Sequence, residues 1–95
     1  MMPGGFGAAK DADTEFKQWV NGFKSQAESK ANTTFENFDA VKYTSQVVAG
    51  TNYWVKVDVG SGKYVHVKIF KPLPYTNEPG EVVEVQVGKT ADDAL

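Results

Sequence analysis

The chain has 95 residues, a length that suits a single domain, residues 1–95, with one hydrophobic core. The absence of cysteine excludes disulfides, a thiol nucleophile and cysteine-based metal sites, and a net charge of -2 with interspersed signs offers no basic surface for nucleic acid. The opening residues lack a secretory signal and no apolar run reaches membrane-spanning length, so we expect a cytoplasmic protein without a membrane partner.

The first elements are a tail and a helix. Residues 1–10 are rich in glycine and almost uncharged, which predicts a flexible tail. Asp13 is a good N-cap, Glu15 suits the first turn, and apolar side chains then recur at three- and four-residue steps. These side chains are Phe16, Trp19, Val20, Phe23, Ala27 and Ala31. The spacing predicts one amphipathic helix, the only helix of the chain, although Gly22 inside it costs about 1 kcal/mol relative to Ala.

Beyond the helix, the apolar period changes from 3.6 to 2, which predicts strands. The first strand runs from Phe38 to Gln46, and its alternation slips between Ala40 and Val41, which indicates a bulge. The next two strands present alternating valines and are joined by a polar turn at residues 60–63. The last strand is expected to present Val83, Val85 and Val87 on one side. We expect the polar residues 88–95 to be frayed.

Four strands in hairpin succession behind one helix predict an α+β domain, in which an antiparallel β-sheet is wrapped around a single α-helix. Alternate connections of such a meander lie at the same end of the sheet. The turn at 46–50 and the connection at 71–80 therefore lie side by side, away from the polar turn. This end of the sheet collects a set of apolar side chains. They are Val47, Val48, Leu73, Pro74 and Tyr75.

Hairpin tips usually carry polar residues, so the consecutive valines Val47 and Val48 require an explanation. Either they fold back over the end of the helix as core, or they contact a partner, and the pattern leaves both possibilities open. Gly50 can supply the positive φ that a tight turn demands. Pro72 and Pro74 stiffen the second connection, which reduces the entropy it loses on docking. The apolar connections lie at one end of the predicted sheet and the polar turn at the other. A surface that recognises a partner explains this distribution better than chance.

An enzymatic role finds little support in the residues. His66 is the only imidazole, and it lies in a strand pattern without a plausible serine and aspartate pair. We interpret it as an ordinary outward-facing strand residue. Asp92 and Asp93 would bind a cation only weakly. We therefore predict no catalytic residue, no metal site and no cofactor.

Several segments together resemble the stefins, or type 1 cystatins, which are intracellular inhibitors of papain-like cysteine proteases such as the lysosomal cathepsins. The stretch Gln46-Val47-Val48-Ala49-Gly50-Thr51-Asn52-Tyr53 carries most of the likeness, together with a glycine in the tail and Leu73-Pro74. The resemblance runs from Met1 to about Asp93. It includes the opening Met-x-Pro-Gly-Gly and the segment from Tyr64 to Phe70. Type 2 cystatins place Pro-Trp in the second loop and add disulfides, and this chain does neither.

The resemblance implies a cystatin-like fold and a reversible, tight-binding inhibitor that fills the protease cleft with a three-part wedge. The tail glycine of the family corresponds to Gly4, with Gly5 beside it, and the second hairpin corresponds to Leu73-Pro74, followed by Tyr75. The first hairpin consists of Gln46, Val47, Val48, Ala49 and Gly50. An alternative is an assembly module: straightening the hairpin at Val48 and Ala49 would produce a domain-swapped dimer, leaving only the monomer inhibitory.

Overall fold

The structure of the chain is a computed structural model that describes residues 8–95, with Pro74 described by its backbone alone. Five strands and two helices follow one another along these residues, with one 3₁₀ turn at Pro74–Thr76. The strands are β1 (Lys10–Asp11), β2 (Asp39–Val48), β3 (Gly50–Gly60), β4 (Lys63–Lys71) and β5 (Glu81–Lys89). The helices are α1 (Thr14–Asn21) and α2 (Lys24–Ala31).

The predicted single helix is in fact two helices that meet at Gly22 and Phe23. Asp13 caps α1 as expected, because its carboxylate accepts a hydrogen bond of 2.8 Å from the Phe16 amide. At the junction, Gly22 donates to the carbonyl of Trp19, three residues back, at 3.2 Å. Such bonds tighten the backbone into a turn, and a glycine in a helix interior favours that departure from helical geometry. The apolar stripe nevertheless continues, since Val20 of α1 and Phe23 at the junction are both buried.

The sheet is antiparallel throughout, with the strands in sequence order from β1 to β5. The α+β class and the wrapped antiparallel sheet are therefore confirmed. β1 was not predicted: Lys10, assigned to the tail, pairs with Tyr43 of β2. The bulge in β2 is confirmed, because the register shifts between Ala40 and Lys42.

A second irregularity corrects the prediction for the last strand. The register of β4 with β5 shifts between Lys68 and Ile69, so that Ile69 pairs with Val82. Val82 is consequently buried in the core, whereas Val83 and Val87 are exposed. Of the three valines expected on one side, Val85 does pack against the core, whereas Val82 takes the place expected for Val83 because the register shifts beside these two adjacent valines.

The helices pack on one face of the sheet, where the core lies. Its most deeply buried side chains come from both layers and make a continuous cluster with the aromatic rings of Phe35 and Phe38. They include Val20, Ala27, Val55, Val57, Val67 and Ile69. Within residues 8–95, no helix is long and apolar enough to cross a membrane.

His66 lies on the face of the sheet opposite the helices, as expected of an outward-facing strand residue, but its side chain is buried there. Its relative exposure is only 3%, and its Nε2 has no hydrogen-bond partner among the described residues. Burial lowers the pKa of His66, and the positive charges of Lys89 and Lys56 lower this pKa further, with Asp93 opposing them. These effects favour the neutral form of the imidazole. Among the described residues, its Nε2 thus has no partner of the kind that acid–base catalysis needs.

Candidate functional site

The two apolar connections lie together at one end of the sheet, as the meander predicted. Thr51 at the start of β3 pairs with Lys71 at the end of β4. A Cβ placed on Gly50 would lie 2.7 Å from the carbonyl oxygen of Lys71, which shows how closely the two connections approach. We call residues 46–50 and 72–80 the loop edge.

The first part of the loop edge is an unusually short hairpin. β2 ends at Val48 and β3 begins at Gly50, so Ala49 alone connects them. Gly50 has a φ of 121°, a conformation that L residues rarely adopt. At the base of the tip, Gln46 and Asn52 are register partners. The side-chain amide nitrogen of Asn52 donates a hydrogen bond of 3.4 Å to the side-chain oxygen of Gln46.

The tip valines project away from the core. Val47 is 77% exposed and Val48 is 45% exposed, so they do not fold back over the helices, and that alternative is excluded. Tyr75 in the second connection is 80% exposed, while Leu73 is half-buried. A folded chain gains nothing from holding large apolar side chains in water, and a cluster of them at one edge typically marks a contact surface.

The second part of the loop edge is held by local bonds. The carbonyl of Leu73 accepts from both the amide and the hydroxyl of Thr76, at 3.0 and 2.8 Å. The Thr76 hydroxyl in turn accepts from the Glu78 amide at 3.3 Å. The connection returns to the sheet at Gly80, whose φ is 107°. This arrangement fixes the loop before any partner arrives, which limits the entropy lost on docking.

The electrostatics of the hairpin are simple. No residue from Gln46 to Tyr53 carries a charge. The ammonium of Lys71, at the root of the second connection, lies 5.7 Å from the centre of the Trp19 ring on the helix side. The tip therefore presents apolar side chains and backbone polar groups, without a field that would attract a charged ligand.

The predicted site residues divide into those that the structure brings together and those it does not describe. The hairpin residues from Gln46 to Gly50 and the connection through Leu73, Pro74 and Tyr75 share the loop edge. Gly4 and Gly5 lie outside the described residues. β1 is antiparallel to β2 and pairs Lys10 with Tyr43, so the N-terminal end of β1 faces the tip end of β2.

Two residues that contact the loop edge were missed by sequence reasoning. Asn52 steadies the hairpin through its bond to Gln46, and Phe70 of β4 lies against Gly50, with a ring atom 2.8 Å from where a Cβ would be. An apolar ring among the polar positions of β4 was an available signal for Phe70. The bond of Asn52 depends on strand register, which the sequence pattern alone does not fix.

Residues 8–95 include histidine, aspartate and glutamate side chains, which are common metal ligands. No three His, Cys, Asp or Glu side chains there are grouped closely enough to hold a metal ion. A cleft of about 620 Å³ lies at the opposite end of the sheet from the loop edge. It is bordered by Phe35, Glu36, Tyr64 and the polar turn at residues 60–63.

Comparisons with known proteins agree with this geometry. A sequence model of the family described as the Cystatin domain matches residues 4–92. The chain is 54% identical over 95 residues to Cystatin-A1 of Sus scrofa, covering all of this chain and 92% of that relative. It is 47% identical to Cystatin-A of Homo sapiens, covering all of this chain and 97% of the relative. It is 45% identical to Leukocyte cysteine proteinase inhibitor 1 of Sus scrofa, again covering all of this chain and 92% of the relative.

The family match extends over nearly the whole chain, and the alignment with each of these relatives covers all 95 residues of this chain. Members of this family are protease inhibitors and not enzymes. The chain belongs to the cystatin family, and within it to the type 1 cystatins, or stefins.

Proposed function

We propose that the chain is a reversible, tight-binding inhibitor of papain-like cysteine proteases, cathepsins among them. The observation that carries the proposal is the exposure of Val47 and Val48 at an uncharged hairpin, directly beside the connection that holds Leu73. Membership of the cystatin family supports it, as does the similarity to a relative named Leukocyte cysteine proteinase inhibitor 1.

In this proposal the loop edge enters the protease cleft as a wedge. The cleft of a papain-like protease is V-shaped, with the catalytic thiolate at its base. The valines and Leu73 fill the cleft and exclude water, while the hairpin presents no peptide carbonyl in line for attack by the thiolate. Inhibition thus needs no covalent step. Each tip valine contributes on the order of 1–2 kcal/mol when its exposed surface is buried.

The N-terminal tail is proposed as the third part of the wedge. Gly4, or Gly5 beside it, would let the tail backbone approach the enzyme without a clashing Cβ. The orientation of β1 supports this role, because its N-terminal end faces the tip end of β2. Tyr75, next to Leu73 and Pro74, is proposed to contact the rim of the cleft, where a large exposed ring adds apolar area.

Active-site titration of papain tests the proposal directly. Increasing amounts of the chain are added to a known concentration of active enzyme, and residual hydrolysis of a small substrate is measured. We expect activity to fall in a stoichiometric manner, and the chain recovered from the complex to be intact by mass spectrometry. Slow cleavage of the chain without loss of papain activity would show a substrate instead of an inhibitor.

A domain-swapped dimer is the second candidate state, and the hairpin favours it. Ala49 alone links two long strands, and Gly50 is held at a φ of 121°. Straightening this turn would let β2 and β3 form one continuous strand and exchange the helical half with a second copy. The monomer would then be the inhibitory form. Size-exclusion chromatography with papain assays on each fraction tests this, since a fully inhibitory dimer contradicts it.

A cytoplasmic location is also proposed. Its support is a fold held by packing without any cysteine, which a reducing compartment does not weaken. Fluorescence microscopy of the tagged chain in cultured cells should show a diffuse cytosolic signal. Accumulation in the secretory pathway would contradict the proposal.

A further inference from the structure

The end of β4 is enclosed by two glycines that come from different connections. A Cβ on Gly50 would lie 2.7 Å from the Lys71 carbonyl oxygen and 2.8 Å from the nearest atom of the Phe70 ring. A Cβ on Gly80 would lie 2.7 Å from the carbonyl oxygen of Phe70. Both glycines have positive φ values, of 121° and 107°. Both connections therefore contact β4 at Phe70 and Lys71, and neither Gly50 nor Gly80 has room for a side chain there.

The ring of Phe70 occupies the space that Gly50 leaves open. Phe70 is the last aromatic residue of β4, and it pairs in register with Asn52 on β3 and with Glu81 on β5. It is half-buried, on the face of the sheet opposite the helices. The hairpin thus rests on a rigid ring, while the return of the second connection rests on the backbone of the same residue. Phe70 contacts both parts of the loop edge without belonging to either.

We propose that Phe70 is a positioning residue that sets the hairpin and the second connection at a fixed relative orientation, so that they dock as one preorganised unit. This rests on the proposed function of the loop edge. Without the ring, the hairpin can rock about its base, and a bound protease must then fix that motion. The entropy lost on docking rises accordingly, and the complex dissociates faster.

Three variants separate this role from a general effect on stability. Phe70→Ala removes the ring, and Phe70→Leu keeps apolar bulk against Gly50. Tyr64→Ala is the matched control, because it truncates an aromatic side chain on the same face of β4 at the opposite end of the strand. If Phe70→Ala does not fold, Phe70→Thr takes its place, since a β-branched residue suits a strand.

The first measurement uses the free chain. Residual dipolar couplings of the backbone amides report the orientation of residues 46–52 relative to residues 71–76. We expect Phe70→Ala to change this orientation or average it, Phe70→Leu to retain most of it, and Tyr64→Ala to leave it unchanged. An orientation in Phe70→Ala identical to that of the parent chain would overturn the inference.

The second measurement follows the complex with papain. We expect Phe70→Ala to raise the dissociation rate about tenfold with little change in the association rate, and Phe70→Leu to recover most of the loss. A double-mutant cycle of Val48→Ala and Leu73→Ala should show coupling in the parent chain and additivity in the Phe70→Ala background. An unchanged dissociation rate and unchanged coupling would overturn the inference. If the parent chain does not inhibit papain, the proposed function fails, while the dipolar couplings still decide the role of Phe70.

Discussion

The ammonium of Lys56 on β3 donates a hydrogen bond of 2.7 Å to the backbone carbonyl of Ala91, 35 residues further along the chain. Asp93 closes the same segment by accepting a bond of 2.8 Å from the Thr90 amide. The residues after β5, expected to be frayed, are therefore held against the outer face of the sheet beside His66.

We expect Lys56→Met to release this segment, because methionine keeps an apolar stem and loses the charged donor. Amide hydrogen exchange at residues 90–93 should accelerate by roughly tenfold, the effect of one hydrogen bond from a charged group. NMR exchange measurements check this. Lys42→Met is the matched control, because Lys42 forms only an exposed ion pair of 3.8 Å with Asp11. Equal exchange in both variants would contradict the prediction.

Stability should decrease in weak acid because of His66. Its pKa in the folded chain is lowered from 6.5, mainly by burial, so the unfolded chain binds a proton more readily. The contribution of the neutral imidazole is complete above about pH 6.5 and is lost as the pH falls from there through the lower pKa of the folded state. Urea unfolding at a series of pH values between 8 and about 4.5 measures this.

His66→Gln is the control for that titration, since it removes the ionisable group while keeping a polar side chain. The fall in stability over this range should disappear in the variant, and a fall of the same size would exclude His66 as its cause. Because the charge of Lys56 contributes to the low pKa, Lys56→Met should also raise the pKa of His66 in an NMR titration.

We expect Val48→Asp to weaken inhibition of papain at least about hundredfold, since an unpaired carboxylate buried in an apolar cleft costs several kcal/mol. Val83→Asp is a matched control, because Val83 is also 45% exposed but lies on β5, away from the tip. Inhibition constants and thermal unfolding of both variants distinguish a lost contact from a damaged fold. Similar inhibition by the two variants would count against the hairpin as the contact.

Removing residues 1–5 tests the third part of the proposed wedge. The shortened chain loses Gly4 and Gly5, and we expect it to dissociate from papain faster, on the order of tenfold or more, because the tail contacts are lost. Stopped-flow kinetics measure the association and dissociation rates separately. Undiminished inhibition by the shortened chain would show that the tail does not contribute to binding.

The inhibition constant should depend little on salt. The hairpin from Gln46 to Tyr53 has no charged residue, so the contact at the tip gains nothing from long-range attraction. Between about 50 and 500 mM salt we expect a change of less than roughly threefold. A steep salt dependence would indicate that charged residues outside the tip dominate the contact.

Local sequence patterns predicted those features that depend on neighbouring residues. The slipped alternation at Ala40 and Val41 foretold the bulge of β2, and the order of the connections foretold the loop edge. Features that depend on distant residues were missed. His66 is buried on the outer face of the sheet, where the segment after β5 is fastened beside it by Lys56, and Val82 replaces Val83 in the core because of a register shift.

For the candidate site too, the sequence predicted what depends on neighbouring residues and missed what depends on distant ones. Two valines at a turn indicated a contact surface, yet the pattern did not decide between exposure and burial, because that depends on where the hairpin lies relative to the helices. The contact between Phe70 and Gly50 also lay beyond the pattern. A period of two assigns Phe70 to a face of the sheet, and only the tertiary structure shows which backbone meets its ring.

The irregular pairing of β5 has a consequence for how the chain behaves in a crowded solution. β5 is the outermost strand on its side, and its pairing with β4 shifts register twice, near Tyr64 and near Ile69. A kinked outer strand is a poor template for a further strand. The β5 edge of the sheet is therefore poorly suited to pair with a strand of another copy, even though the hairpin of the same sheet exposes two valines.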